Sequence, residues 1–327
     1  MDNWVNKFLN ISDDKQFNDL CIEAFLYQYH TIPVYQEYCK HLNIRPSEIT
    51  HYTKIPFLPI EFFKTHDVKP ENSNPEITFS SSGTTGTKTS KHHVADLAIY
   101  KASFLAAFKK FYGNVEEYCV LALLPSYLER TGSSLIYMAE ELIKLSKHAD
   151  SGFYLNNYQE LSEKLKILSQ SGKKILLLGV SYALLDMAEQ FPMKLENTII
   201  METGGMKGRR KELVREELHE RLCAAFGVSS IHSEYGMTEL LSQGYSFGEG
   251  LFKTPPWMKI LIRNTYDPFE YLPAGKSGGI NVIDLANIHS CCFIETKDLG
   301  KTFTDDSFTI LGRFDDSDIR GCNLMAE

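Results

Sequence analysis

A chain of 327 residues can bury a sizeable core, as one large domain or two modest ones. Its 43% hydrophobic and 23% charged residues are ordinary for a globular fold, and a formal net charge of -8, from 34 basic and 42 acidic residues, gives no electrostatic reason to expect nucleic acid or an anionic membrane as partner. The seven cysteines are odd in number and form no CxxC pair, which argues against both a disulfide framework and a zinc knuckle.

The chain opens MDNWVNKFLNISDDK, without the charged-then-apolar leader of a secretion signal. Strands are expected over residues 77–80, 119–124, 175–180, 198–202, 230–233, 259–263, 279–284, 291–295 and 308–311, and helices over 96–112, 134–147, 158–171 and 211–226. In the last of these Val214, Leu218, Leu222 and Ala225 recur at helical spacing. Apolar runs such as ILLLGV at 175–180 are far too short to span a bilayer, so no membrane span is expected and a reducing cytoplasm fits best. The first two thirds read as α/β with buried strands. After about Leu251 the strands follow one another without helices, which suggests an antiparallel appendage over about 251–311.

One stretch asks for a chemical explanation. FSSSGTTGTKTSK (79–91) follows an expected strand and precedes an expected helix, the arrangement in which glycines, hydroxyls and a lysine cradle phosphates. The P-loop pattern G-x-x-x-x-G-K-[ST] does not fit, because Thr87 precedes Lys88, and Gly83 and Gly86 stand too close together. A plain flexible polar loop is the alternative on these residues alone.

The loop instead resembles the [ST]-[SG]-G-[ST]-T-G signature of the adenylate-forming enzymes, which include acyl-CoA synthetases, adenylation domains and firefly-type luciferases. Ser81, Ser82, Gly83, Thr84, Thr85 and Gly86 match it position for position. Further segments resemble the family's other motifs in the same order. METGGMKGRR (201–210) carries Gly204 and Gly205, like the glycine turn along the adenine face. Tyr235, Gly236, Met237, Thr238 and Glu239 resemble Y-G-x-T-E, whose aromatic ring packs on adenine, whose threonine meets phosphate and whose glutamate holds magnesium. ETKDLG (295–300) puts Asp298 where the family's aspartate binds the ribose hydroxyls, and GRFDDSDIRG (312–321) puts Arg313 where its arginine reaches the ribose and phosphate. Taken singly each has a bland reading: a capping turn for Thr238, a turn aspartate for Asp298, a surface ion pair for Arg313.

The resemblance implies the large N-terminal-type α/β domain of that family, layered mixed sheets with flanking helices and a small antiparallel β subdomain. The expected division is a core over 1–311 and a hinge-like segment with tail over 312–327, lacking the C-terminal lid domain and its lysine. Two departures stand out. Thr87-Lys88-Thr89 replaces the usual Pro-Lys-Gly, and the hinge motif is one residue short. The closing RGCNL (320–324) and LLPSYLERTGSSLIYM (123–138) resemble the LuxE-like acyl-protein synthetases, in which the cysteine after the glycine carries the acyl group as a thioester. That role falls to Cys322, with a free cysteine on a frayed terminus as the alternative. Cys291 and Cys292 read as packing residues.

The same resemblance implies ATP and Mg2+ as cofactors, Lys88 and Arg313 beside the phosphates, Glu239 at the metal, and a carboxylic, fatty-type acid as substrate. The acyl acceptor implied is a protein (a reductase or carrier) or coenzyme A. An apolar acyl channel is expected along parts of GVSYALL (179–185) and LPSYL (124–128), with plain core as the alternative for both segments. A ligase that ignores Cys322, an inactive nucleotide-binding relative and a kinase-like phosphoryl transferase are the rival readings.

Overall fold

The computed structural model describes residues 2–81, 88–125, 132–204 and 213–314. The chain begins with helices α1 (Asp2–Leu9), α2 (Asp14–Thr31) and α3 (Pro33–His41), the short strand β1 (Leu58–Pro59) and the single-turn α4 (Phe62–Thr65). Strands β2 (Ile77–Ser80) and β3 (Lys91–Val94) form an antiparallel pair of their own around the glycine-rich stretch. Then come α5 (Leu97–Tyr112), β4 (Tyr118–Leu123), α6 (Ser134–Ser146), β5 (Gly152–Tyr154), α7 (Tyr158–Gln170), β6 (Lys174–Val180), α8 (Ser181–Gln190), β7 (Thr198–Thr203), α9 (Arg215–Phe226) and β8 (His232–Tyr235). The remainder is β9 (Gly244–Ser246), β10 (Phe252–Lys253), β11 (Met258–Arg263), β12 (Ser277–Asp284), β13 (Phe293–Thr302) and β14 (Phe308–Arg313).

Among the described residues one twelve-stranded sheet runs β11-β12-β13-β14-β10-β9-β8-β7-β6-β4-β5, with β1 pairing beside β13. Along that order every pairing from β5 to β8 is parallel and every pairing from β8 to β11 is antiparallel, while the added β1–β13 pair is parallel. The central parallel strands are the most apolar, with YCVLAL of β4 and ILLLGV of β6 wholly buried, as strands covered on both faces must be. Right-handed crossovers set α6 on one face of these strands and α7, α8 and α9 on the other. Local signals fix the helix starts: Asp13 accepts a bond from Gln16 N at 2.8 Å and Asp96 one from Ala98 N at 2.8 Å.

The antiparallel strands expected beyond about residue 251 are present as β10 to β14, and β9 and β10 join them to β8 within the same sheet. The helix expected over 211–226 is described from Arg215, and the strands expected over 230–233 and 291–295 sit two residues later, at His232–Tyr235 and from Phe293. The first three helices and α8 were not anticipated. They are held by buried polar contacts as well as packing: Gln28 of α2 donates to Asn287 O and Ile288 O, at 2.9 and 3.1 Å, and the Trp4 indole donates to Leu285 O at 2.9 Å. No helix among the described residues is long and apolar enough to cross a membrane.

Candidate functional site

Parallel strands in register end together, and here the ends coincide with the sequence motifs. Gly179 pairs with Leu123 of β4, Val180 of β6 with Thr203 of β7, and Thr203 with Glu234 of β8. The carboxyl ends of β4, β6, β7 and β8 thus form one rim, and β8 is where the sheet changes from parallel to antiparallel. Open α/β sheets bind ligands at such a rim and switch point.

Two glycines shape the rim. Gly204 leaves β7 with φ of +66°, a conformation side chains rarely adopt, and its carbonyl accepts from Ser181 Oγ at 2.6 Å. The same hydroxyl lies 3.0 Å from Glu202 Oε2, so the start of α8 steadies the turn that ends β7. Gly236 has no room for a Cβ because the Glu234 carboxylate lies against it. Glu234 is half-buried as a residue, but its carboxyl is enclosed and accepts from Thr203 Oγ1 at 2.5 Å. Burial pushes it up to about 7 against the Thr203 bond, and Glu202 adds to the rise.

Across the switch, Tyr235 donates to Asp298 Oδ2 at 2.8 Å, and Arg313 Nε lies 3.2 Å from Asp298 Oδ1. Asp298 and Arg313 face each other in register on β13 and β14. Tyr235 is buried with its ring edge-on to Phe252 and Phe308, and Asp298 is also buried, whereas Arg313 is 72% exposed at its side chain. Burial raises the Asp298 carboxyl, and Arg313 and the Tyr235 hydroxyl pull it back down. Burial beside Asp298 keeps the Tyr235 phenol protonated.

The backbone that aims Asp298 is irregular. Between the register pairs Asn281–Glu295 and Gly279–Leu299, β13 advances four residues while β12 advances two. Bulges of this kind re-aim side chains at the cost of ladder bonds. Arg263 replaces those bonds: its guanidinium donates to Ile280 O, Asn281 Oδ1 and Thr296 O, at 2.8, 2.8 and 2.7 Å. The Thr296 hydroxyl donates to Ile280 O at 2.8 Å and accepts from Asp298 N at 3.1 Å.

The glycine-rich stretch meets the same region at its root. Ser81 N donates to Ser90 O at 3.0 Å and Ser90 N to Ser81 Oγ at 2.9 Å. The Ser90 hydroxyl in turn bonds the Glu239 carboxylate. Glu239 is only 5% exposed, and its carboxyl is raised by burial, with Ser90, Arg313 and Lys64 acting in the opposite direction. Thr238 is linked to β3 through His92 Nδ1, 2.8 Å from its carbonyl oxygen. Ser80 N donates to Gly132 O at 2.8 Å, which brings the middle of the 123–138 segment beside β2.

The structure thus brings together Ser81, Gly204, Tyr235, Gly236, Met237, Thr238, Glu239, Asp298 and Arg313 around the end of β8, with Lys88 exposed three residues before β3. Ser82, Gly83, Thr84, Thr85, Gly86, Gly205 and Cys322 lie outside the described residues. Cys291 and Cys292 are fully buried, and Tyr182, Leu184 and Leu185 of the expected acyl channel are packed in the core. Sequence reading missed Glu234, His92 and Arg263. For Arg263 a charged residue ending an apolar strand, as in KILIR, is the signal that was there to be used.

Comparison with known proteins gives the family and the fold. The family described as acyl-protein synthetase, LuxE, matches residues 6–327. The long-chain-fatty-acid–luciferin-component ligase of Vibrio harveyi is 23% identical over 311 residues, covering 89% of this chain and 80% of that protein. Among solved structures, 2-hydroxyisobutyryl-CoA ligase in complex with 2-HIB-AMP and CoA aligns with a TM-score of 0.66 at 12% identity, over 93% of this chain and 70% of its own. ATP-bound MatB from Rhodopseudomonas palustris aligns with a TM-score of 0.53 at 16% identity, over 72% of this chain, which spans about half (47%) of the MatB chain. The fold is that of the adenylate-forming enzymes, and the chain belongs to the LuxE family of acyl-protein synthetases.

Proposed function

We propose that the protein activates a carboxylic acid, of the fatty type, with ATP to give acyl-AMP and pyrophosphate, and that a thiol then takes the acyl group, with Cys322 as first acceptor. The observation that carries this reading is the chain Tyr235–Asp298–Arg313, buried at Tyr235 and Asp298 and exposed at Arg313, at the parallel-to-antiparallel switch, in a member of the LuxE family. The Vibrio harveyi relative is named for a long-chain fatty acid, which supports the substrate class.

In the first step a carboxylate oxygen attacks the α-phosphorus, and the bond to the bridging oxygen breaks so that pyrophosphate leaves with the electron pair. The protein has little covalent work to do: it orients the reactants and neutralises charge. Asp298 accepts from the ribose hydroxyls, which displace the Arg313 contact it makes here while the Tyr235 hydroxyl keeps the carboxylate in place. Arg313, freed at an exposed position, moves its charge to the α-phosphate. The turn at Gly204 and the Tyr235 ring flank adenine, and the 81–88 stretch with Lys88 meets the outer phosphates. In the second step the thiolate sulfur attacks the acyl carbonyl carbon and the C–O bond to AMP breaks.

Magnesium fits the oxygen donors present. Mg2+ takes one or two carboxylates and fills its remaining positions with water and phosphate oxygens, which matches a single buried carboxylate, Glu239, next in sequence to Thr238. Among the described residues no group of three or more His, Cys, Asp or Glu is arranged to hold a metal without phosphate. Bound there, the ion would neutralise phosphate charge. We read residues 1–311 as one core carrying this chemistry and 312–327 as hinge-like segment and tail, working in the cytoplasm.

The test is carboxylate-dependent exchange of labelled pyrophosphate into ATP across a panel of acids, followed by intact mass of the protein. Exchange with a fatty acid and an acyl adduct lost in Cys322→Ser are expected; no exchange with any acid retires the reading. The second reading is direct transfer to coenzyme A, favoured by the fold shared with a CoA ligase over 93% of this chain. Thioester formed on coenzyme A by Cys322→Ser would select it.

A further inference from the structure

Behind the candidate site, two consecutive backbone carbonyls are each held by a fully buried polar side chain from a different element. His92 Nδ1 lies 2.8 Å from Thr238 O, and Asn287 Nδ2 donates to Glu239 O at 2.8 Å and to Cys291 O at 3.1 Å. A carbonyl oxygen only accepts, so His92 carries its proton on Nδ1. Its Nε2 then accepts from Ser290 Oγ at 2.8 Å. The ring stands edge-on to Phe63, with centroids 5.7 Å apart. Both ring nitrogens are therefore committed, and the tautomer is fixed by its partners.

An apolar residue would fill the same space without the cost of burying a polar group. What His92 adds is direction. It sits two residues after Ser90, whose hydroxyl bonds the Glu239 carboxylate and whose backbone closes onto Ser81 at the root of the glycine-rich stretch. The segment after Gly236 leaves the strand ladder; Met237 O is met by Leu240 N at 3.1 Å, and the carbonyls of Thr238 and Glu239 are met by side chains.

We infer that His92 is a positioning residue, with Asn287 and Ser290 as its companions, that fixes Thr238 and Glu239 against the root of the glycine-rich stretch so that magnesium-bound ATP meets them in one geometry. This rests on the nucleotide reading under Proposed function. Neither His92 nor Asn287 touches substrate; both act through the backbone of the residues that do. Partners that orient a metal-binding carboxylate are typically worth roughly 10–100-fold in metal affinity.

Calorimetric titration with ATP, in magnesium and separately in EDTA, reads this directly, alongside the KM for Mg·ATP in pyrophosphate exchange. In His92→Asn the amide nitrogen falls near the place of Nδ1 and keeps the bond to Thr238 O. In His92→Gln the polar group reaches only toward Ser290. The tightening of ATP binding by magnesium should stay within about threefold of the original in His92→Asn and fall roughly 10–100-fold in His92→Gln, with KM rising in step. Ser290→Ala, which leaves the ring in place without its second anchor, should lose a few-fold. The positioning role is overturned when His92→Gln and Ser290→Ala keep the full magnesium-dependent tightening and KM while only their melting temperatures fall. An unsubstituted protein that binds no ATP would take the nucleotide reading down along with it.

Discussion

The two halves of the sheet solve different problems. Strands β4 to β8 are parallel, with wholly buried apolar runs in β4 and β6, and what they present at their shared end is mostly backbone: the turn at Gly204, the crowded glycine at 236, and one enclosed carboxyl on Glu234. Strands β9 to β14 are antiparallel, and they present side chains, with Asp298 and Arg313 facing each other across a ladder that a bulge distorts. Tyr235 lies at the seam and joins the halves through its bond to Asp298. Parallel strands deliver a rigid rim, while the bulged antiparallel arm delivers aimed charge.

Substitutions can break or sharpen that contrast. The largest effect is expected where the antiparallel arm is merely structural. Asp284, fully buried at the end of β12, accepts from Leu241 N, Ser242 N, Ser242 Oγ and Ala286 N, at 2.8, 2.9, 2.6 and 3.1 Å. Asp284→Ala strands those donors and should cost about 3–5 kcal/mol in urea unfolding, with the loss felt at the β8–β9 connection.

Asp298→Ala tests the same arm where its charge is aimed. Loss of charged hydrogen bonds to ribose, each worth about 1.5–3 kcal/mol, should lower kcat/KM for pyrophosphate exchange by roughly 100-fold or more, with a smaller change in stability. An unfolding effect as large as that of Asp284→Ala, with exchange intact, would make Asp298 a structural residue and erase the contrast.

Glu234→Gln probes the parallel half. Its carboxyl holds a proton in the fold up to about 7, well above the ordinary 4.5, so the folded protein keeps a proton that the unfolded chain has released. Stability should therefore fall as pH rises from 4.5 through 7, by up to about 3 kcal/mol in all. Glu234→Gln should remove that slope, melting higher than the parent above pH 7 and showing little gain near pH 4.5. The smallest effect is expected at the seam. Tyr235→Phe keeps the ring and deletes one hydrogen bond to a charged group, so KM for ATP should rise about tenfold with kcat little changed.

Much of the fold was legible because parallel strands declare themselves: ILLLGV and VLALL admit few other placements. Strand order was not, since nothing local in FKTPPW says that β10 bridges β9 and β14 within one sheet. The first three helices escaped because Phe17, Leu20, Cys21, Ala24, Phe25 and Gln28 of α2 are all buried, and a buried polar glutamine blurs the helical stripe. At the site, resemblance singled out Tyr235, Asp298 and Arg313, and folding puts them within bonding distance. Arg263 and His92 stayed hidden because a polar residue in an apolar strand acquires meaning only from partners far away in sequence, such as Thr296 and Thr238.

The central claim, that nucleotide is gripped at the end of β8 by both halves together, is tested most directly by hydrogen exchange with and without a non-hydrolysable acyl-adenylate analogue. Protection should rise in peptides covering 201–204, 232–239, 295–300 and 312–314 and stay unchanged in the β11–β12 hairpin. Protection confined to one half of the sheet, or absent from all four segments at saturating analogue, would contradict it.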